Sequence, residues 1–431
     1  MEGFSMGNRT RLAGLLALLA AFGVFVASSS AAGSGGGLGK KAVTNYVKYV
    51  GGKAGKANPK LSPVQIGFFN QQGGAVVIGA DATTGAQTAV KYANKNLGGV
   101  AGHPIKLVTC FIQSTEQQGT TCGQQFRANK NIDVIDEGGV GTGVDTLYAA
   151  LGGTKPVIAG VAASSVDATQ KNAVILLGDG LHVLAPYGTY AKQVLHAKTA
   201  AVVYENEPGI GPDAQAWINA LKAEGITVNS VAYDPTQTDL TGPLTSANAA
   251  SADIVIPGTD ANGCVAMAQA LQQLGITNPA KIVANPLCLN ASVISALGDF
   301  PKWTYGIATS LFGDASDPGL KPYGKVMTEF KQTKNAADPW NIANFATMLS
   351  TIRFLNQAAK QDKGNVAKIT PKQVLKIAKA FKGPQALGAP SLDCGAIKSA
   401  PAVCNQRAQF FTYMGNNVFK KAASWLQPPP S

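Results

Sequence analysis

From Val64 to Asn285, short apolar runs alternate with longer stretches whose apolar residues recur at helical spacing. Val64–Phe69 reads as a strand, and Ala80–Asn96 as a helix that stops at Leu97-Gly98-Gly99. Ile105–Ile112 (strand), Thr115–Asn129 (helix) and Asp133–Glu137 (strand) follow; a glycine-rich turn then leads to a helix near Gly143 and a strand over Lys155–Ala163. The pattern repeats in strands Ala200–Tyr204, Thr227–Tyr233, Ala252–Pro257 and Lys281–Asn285. Between these lie helices over Pro212–Glu224, Leu240–Ala249 and Asn262–Leu274, and Leu181–Leu195 links the two series. Strict alternation predicts parallel sheets covered on both faces, hence two doubly wound α/β lobes. Beyond Trp303 the pattern turns helical over Pro322–Thr333, Trp340–Gln361 and Pro371–Phe381. Ala408–Met414 and Val418–Ala422, split by Gly415-Asn416-Asn417, read as a β-hairpin.

The first residues set the compartment. Arg9 and Arg11 precede an apolar run from Leu12 to Ala27, which ends in small residues through Ala32. That order reads as a secretory signal over residues 1–32, and the run is short against the ~20 residues of a membrane span. No cysteine stands near the junction, so a lipid anchor there is not expected. Residues 33–62, rich in Gly and Lys, read as a surface linker, and 427–431 as a loose proline-rich tail.

Apolar residues make up 45% of the 431 positions and charged ones 14%, enough for two or three buried cores. The net charge of +12 comes mostly from scattered lysines and reads as a solvated basic surface; without basic runs interleaved with aromatics, nucleic acid is not an expected partner. Six cysteines form three neighbouring pairs, Cys110/Cys122, Cys264/Cys288 and Cys394/Cys404. Export permits disulfides and closeness favours these pairs, but sequence leaves all 15 pairings of six cysteines open. With no CxxC and three histidines, neither zinc nor any other cofactor is expected.

In open α/β sheets, ligands bind beyond the carboxyl ends of the strands. In the first series those ends carry Asn70, Gln71 and Gln72, then Gly138–Gly143 with Thr142, then Ala162 and Ser164; in the second they carry Glu205 and Asn206, Thr259 and Asp260, then Asn285. Amides, hydroxyls and glycines fix a small polar ligand and perform little chemistry. Thr142 and Ser164 are candidates to hold a carboxylate together with N–H groups at helix starts, or else serve as plain N-caps. The glycine run fits neither GxGxxG nor GxxxxGK[ST], and no GxSxG elbow is present. Glu205 and Asp260 read better as loop-end charges than as a catalytic pair. An enzyme is not expected.

The stretch Gly79-Ala80 … Gly85-Ala86 … Ala89 … Ala93-Asn94 … Gly98-Gly99 … Gly102-His103-Pro104-Ile105-Lys106-Leu107 resembles the branched-chain amino-acid binding proteins of ABC transporters. The order of elements continues the resemblance over roughly Val64–Ala422. It implies the type I periplasmic-binding fold, two lobes joined by a hinge of several strands, and closure on a ligand for delivery to a membrane permease. Implied lobes are 63–180 with 308–382, and 181–307 with 383–426; a monomer and an extracytoplasmic site of action are implied as well. The resemblance places a disulfide at Cys110/Cys122 and puts Cys264/Cys288 beside the cleft. Carboxylate contacts fall at Val140–Thr142, Ala162 and Ser164. The acidic residue that pairs with an α-ammonium falls at Asn285 or Pro286, a departure from the family pattern that leaves Asp260 or Glu205 as substitutes. A ligand sensor or surface interaction protein on the same fold is the alternative function.

Overall fold

The computed structural model describes residues 42–73, 79–162, 164–207 and 210–428. The secretory signal read over 1–32 lies outside these residues, as do 33–41 and the last three positions of the tail.

Five parallel strands form the first sheet: β1 (Val64–Gln71), β2 (Ile105–Ile112), β3 (Ile132–Glu137), β4 (Val157–Ala162) and β5 (Ala173–Asp179), in the order β2-β1-β3-β4-β5. Every residue of β5 is buried, the continuous apolar signature of a strand covered on both faces. Helix Pro339–Gln361 crosses one face, started by Pro339 and by Asp338, whose carboxylate accepts from the Asn341 N–H at 2.8 Å. Separate apolar clusters lie on the two faces, one around Phe68 and Phe345, the other around Phe126 and Leu147. The glycine stop of helix Ala80–Asn96 is realised by Gly98 and Gly99 at φ 73° and 64°, a region that favours glycine. Asn94 then ties the helix end to Ile105, accepting its N–H at 2.7 Å and donating to its carbonyl at 2.9 Å.

The second lobe repeats the same order. β6 (Thr199–Glu205), β7 (Thr227–Tyr233) and β8 (Ile254–Gly258) pair as β7-β6-β8. A parallel bridge from Val255 to Ile282 carries the sheet on to β9 (Val283–Ala284) and β10 (Thr304–Ile307). Numbered within the lobe, this is again 2-1-3-4-5. After a short pair, β11 (Lys382–Gly383) and β12 (Leu392–Asp393), the chain ends in the expected hairpin, β13 (Ala408–Gly415) and β14 (Val418–Leu426), with β13 antiparallel to β10.

Three corrections follow. Residues 42–62 are no loose linker: Tyr46, Tyr49 and Val50 of helix Tyr46–Val50 are buried, the Tyr49 hydroxyl lies 2.8 Å from Ser350 Oγ, and Arg353 donates to the Tyr49 carbonyl while stacking between the rings of Tyr49 and Phe381. Residues 383–404, placed with the second lobe from sequence, pack on the first sheet instead; Ile175 donates to the Ala402 carbonyl at 2.8 Å and Cys404 to that of Ile175 at 2.9 Å. The chain therefore crosses between sheets after β5, after β10, and at Asn405–Ala408. At the last crossing Asn405 Nδ2 donates to Leu177 O and Gln409 Nε2 to Thr309 O. Gln427, read as part of the loose tail, accepts through its carbonyl from the Thr189 hydroxyl at 3.1 Å.

All three cysteine pairs are bridged: Cys110–Cys122, Cys264–Cys288 and Cys394–Cys404. Among the described residues no helix is long and apolar enough to cross a membrane.

Candidate ligand-binding site

The carboxyl edge of the first sheet is assembled by amide side chains. Asn70, fully buried at the end of β1, donates to the Gly79 carbonyl and to Thr83 Oγ1 and accepts from the Gly139 N–H at 3.0 Å. Gln71 Oε1 accepts from the N–H groups of Gly141 at 2.9 Å and Thr142 at 3.3 Å. Gln72 Oε1 accepts from the Thr83 hydroxyl at 2.6 Å. One amide trio thus joins β1, the start of helix Ala80–Asn96 and the glycine loop, at the point where the strand order reverses between β1 and β3.

The anion site expected at Thr142 is already filled from within. Gly143, at φ 77°, caps helix Val144–Leu151, and its N–H donates to Glu116 Oε1 at 3.0 Å. With Gly139, Gly141 and Thr142 also engaged, four of this loop's N–H groups are satisfied by Asn70, Gln71 and Glu116. Thr142 is therefore not the N-cap, and its side chain is half-buried. Ser164 accepts from Val166 N–H at 3.2 Å in a local turn, ahead of Ser165, which is the N-cap of helix Val166–Thr169, whereas Ala162 is buried in the apolar layer. No hydrogen bond joins Thr142 to Ser164.

Beneath this edge lies a pair the sequence reading passed over. Glu137 and Asp167 are both fully buried, and the Tyr148 hydroxyl donates to Asp167 Oδ1 at 2.6 Å. Burial first, then the Asp167 charge, push the Glu137 carboxyl well above its usual range, and burial raises Asp167 to about 6. Both Glu137 oxygens and Asp167 Oδ2 are buried without a hydrogen-bond partner, so burial disfavours two ionised carboxyl groups here.

At the second edge, Glu205 is a structural acid. It accepts from the Thr259 hydroxyl at 2.8 Å, the Asp260 N–H at 2.9 Å and the Tyr233 hydroxyl at 3.3 Å, and burial raises its pKa against these bonds. Asp260 caps helix Ala261–Gln273 through the N–H groups of Asn262 and Gly263, both at 2.8 Å. Asn206 is exposed, and its N–H donates to the Tyr233 carbonyl. Asn285 is buried and accepts from Leu287 N–H at 3.1 Å. Glu205 thus has both oxygens engaged, whereas Asp260 caps through Oδ1 and leaves Oδ2 with a 3.4 Å bond from Asn262 Nδ2. Glu207, two residues beyond β6, makes no side-chain hydrogen bond among the described residues; burial and then the nearby Asp260 charge raise its pKa. It was not singled out from sequence, because nothing local distinguishes it from a solvated loop acid.

The Cys264–Cys288 bridge joins the helix capped by Asp260 to the turn after Asn285, so it links two strand-end loops of this edge. Replacing both cysteines with serine is expected to cost about 3 kcal/mol of stability from loop entropy alone. Calorimetric unfolding of the double variant checks this; an unchanged melting temperature would show the wall to be rigid without the bridge.

No Lys or Arg stands within the first three residues of the turns leaving β1 to β9; the basic side chains nearest these ends are His182 after β5, against Asp179, and Arg407 at the last crossing.

The sequence matches the family described as periplasmic binding protein over residues 63–394. No curated protein matches it. Among solved structures, it is similar to an ABC transporter substrate-binding protein from Sphaerobacter thermophilus, with 15% identity, 85% of this chain and 98% of that one covered, and a TM-score of 0.67. A branched-chain amino acid transporter substrate-binding protein from Streptococcus pneumoniae, in complex with isoleucine, shows 18% identity, 85% and 100% coverage, and a TM-score of 0.65. A solute-binding protein from R. palustris in complex with 4-hydroxybenzoate gives 16%, 85% and 98%, and 0.66.

Proposed function

Because the chain belongs to the periplasmic binding protein family, we propose that it closes its two sheet edges on a small polar molecule without net negative charge. As a solute-binding protein of the ABC-transporter type it is not an enzyme, and its place of action is extracytoplasmic. The observation that carries the ligand class is the chemistry of the edges. The turns leaving β1 to β9 begin without Lys or Arg, and the N–H groups suited to a carboxylate are taken by Gln71, Asn70 and Glu116. Available groups are amides, the Thr142 hydroxyl, the Glu207 carboxylate and Asp260 Oδ2, a set that favours an amide or an amino acid over a simple organic acid. For an amino acid, Glu207 takes the ammonium in place of the acid that Asn285 replaces. The division into lobes that this reading uses is 63–180 with 308–404, and 181–307 with 405–426, with the signal removed, a monomeric receptor and a membrane permease as partner.

A thermal-shift panel of amino acids, amides, benzoates and fatty acids tests the reading. A ligand at 100 times its Kd adds about 2.7 kcal/mol. A shift confined to benzoates or fatty acids overturns the charge argument, and no shift from any compound sinks the receptor reading itself. With the active compound in hand, Gln71→Ala is expected to weaken binding about tenfold, since it frees two N–H groups of the glycine loop, roughly 1.4 kcal/mol. Titration calorimetry reads this, and unchanged affinity would remove the loop from the site.

A further inference from the structure

The edge of the molecule opposite the candidate site has the reverse charge. Lysines stand where the chain enters its strands: Lys60 before β1, Lys130 before β3, Lys155 before β4, Lys171 before β5, Lys198 before β6 and Lys281 before β9. Helix C-termini also point to this edge and favour cations, which accounts for Arg127 at the end of helix Glu116–Ala128. It does not account for the strand-entering lysines, which belong to no helix.

In the first lobe this edge is concave. A groove of about 430 Å³ is lined by Arg127, Lys130, Asp133, Thr154, Lys155 and Pro371, with Ile132 at its floor. Arg127 and Lys130 are exposed. Lys155 is buried, its ammonium donating to the carbonyls of Asn129 and, at 2.7 Å, Ile132. Pro371 begins helix Pro371–Lys379, whose exposed Lys372 and Lys376 stand one turn apart beside it. Asp133 is the one acid in the lining, and burial raises its carboxyl to about 6 against the pull of Lys155.

We propose that this groove docks an extracytoplasmic polyanion, a phosphodiester-type polymer strand held by Arg127, Lys130, Lys372 and Lys376. Charge complementarity selects an anion, and concavity selects a strand over a flat bilayer. Four exposed cations, two lining the groove and two on the helix that starts at its rim, neutralise successive phosphates and release their counterions, so binding weakens steeply with salt. Docking at this edge leaves both candidate ligand edges open, and the proposal holds whatever the small ligand is.

Long-chain inorganic polyphosphate is the probe, with anionic phosphatidylglycerol vesicles as the second arm, each titrated into the purified protein at low and high salt. The variant Arg127→Glu, Lys130→Glu, Lys372→Glu, Lys376→Glu is expected to lose at least about tenfold in polyphosphate affinity. A control with the same charge change, Lys192→Glu, Lys222→Glu, Lys302→Glu, Lys420→Glu, alters exposed second-lobe positions and is expected to lose under about threefold. Equal losses in the two variants, or tighter binding to vesicles than to polyphosphate, overturn the proposal. Should the fourfold variant unfold, Lys130→Gln with Lys372→Gln is expected to lower the salt slope by about two, and an unchanged slope is equally contradictory.

Discussion

Gly263→Val is expected to destabilise the protein by about 2–4 kcal/mol and to abolish ligand binding. Gly263 sits in the first turn of helix Ala261–Gln273, where any β-carbon would lie 1.9 Å from both Glu205 Oε1 and Thr259 Oγ1. Neither atom moves freely, because the Glu205 carboxylate is pinned by Thr259, Tyr233 and the Asp260 N–H. Relief of the clash therefore breaks bonds to a buried acid and displaces the cap of the same helix. The gain in helix propensity from losing a glycine, about 1 kcal/mol or less, is too small to compensate. Gly242→Ala is the matched control: it also replaces a helical glycine, but nothing lies within 4 Å of the added carbon. Denaturant melts of both variants separate the effects; a Gly263→Val protein as stable as the control would mean that Glu205 is not locked as described.

The second large effect concerns Asp136, the acid on the face of β3 turned toward helix Pro339–Gln361. It is fully buried, accepts from the Thr351 hydroxyl, and burial raises its carboxyl to about 8. Because the folded pKa is raised, the group's contribution is fully present below about 4 and is lost as pH rises toward 8. At pH 7 the folded state keeps a proton that the unfolded chain releases, a penalty of at most about 4 kcal/mol. Asp136→Asn keeps the acceptor for Thr351 and removes the titration. The variant is expected to match the wild type near pH 4 and to be more stable by a few kcal/mol at pH 7.5. Melting temperatures across that range decide it, and parallel curves for the two proteins would contradict the buried neutral carboxyl. Glu137→Gln shifts stability in the same direction, since it removes a buried carboxyl whose pKa burial raises.

Much of this architecture is legible in the sequence because a parallel α/β lobe writes a regular alternation. The reading fails where the alternation is broken. β5 escaped notice because only the four-residue helix Val166–Thr169 separates it from β4, far shorter than the helix that a βαβ period leads one to expect. β10 is four residues long and is a strand only through its pairing with β9 and β13. Residues 42–62 looked like a linker because glycine and lysine dominate them, while the pair that buries them, Tyr46 and Tyr49, is small against that composition. At the candidate site, the named residues do stand at strand ends, but the hydrogen bonds they make were not legible. Thr142 looked like a cap because a hydroxyl before a helix usually is one; the cap arrives instead from Glu116, 27 residues earlier in the chain. Glu205 looked like a surface charge because its partners come from two other strand ends. Such long-range hydrogen bonding leaves no mark in local spacing.

Closure of two lobes about a three-segment hinge is the central claim, and small-angle X-ray scattering tests it most directly. The purified protein is measured alone and with a saturating amount of the compound that shifts its melting point. A reproducible fall in radius of gyration on binding is the predicted result, because the two edges must approach to enclose the ligand. An unchanged radius with the ligand demonstrably bound would contradict the account and leave a rigid, open binding protein on the same fold.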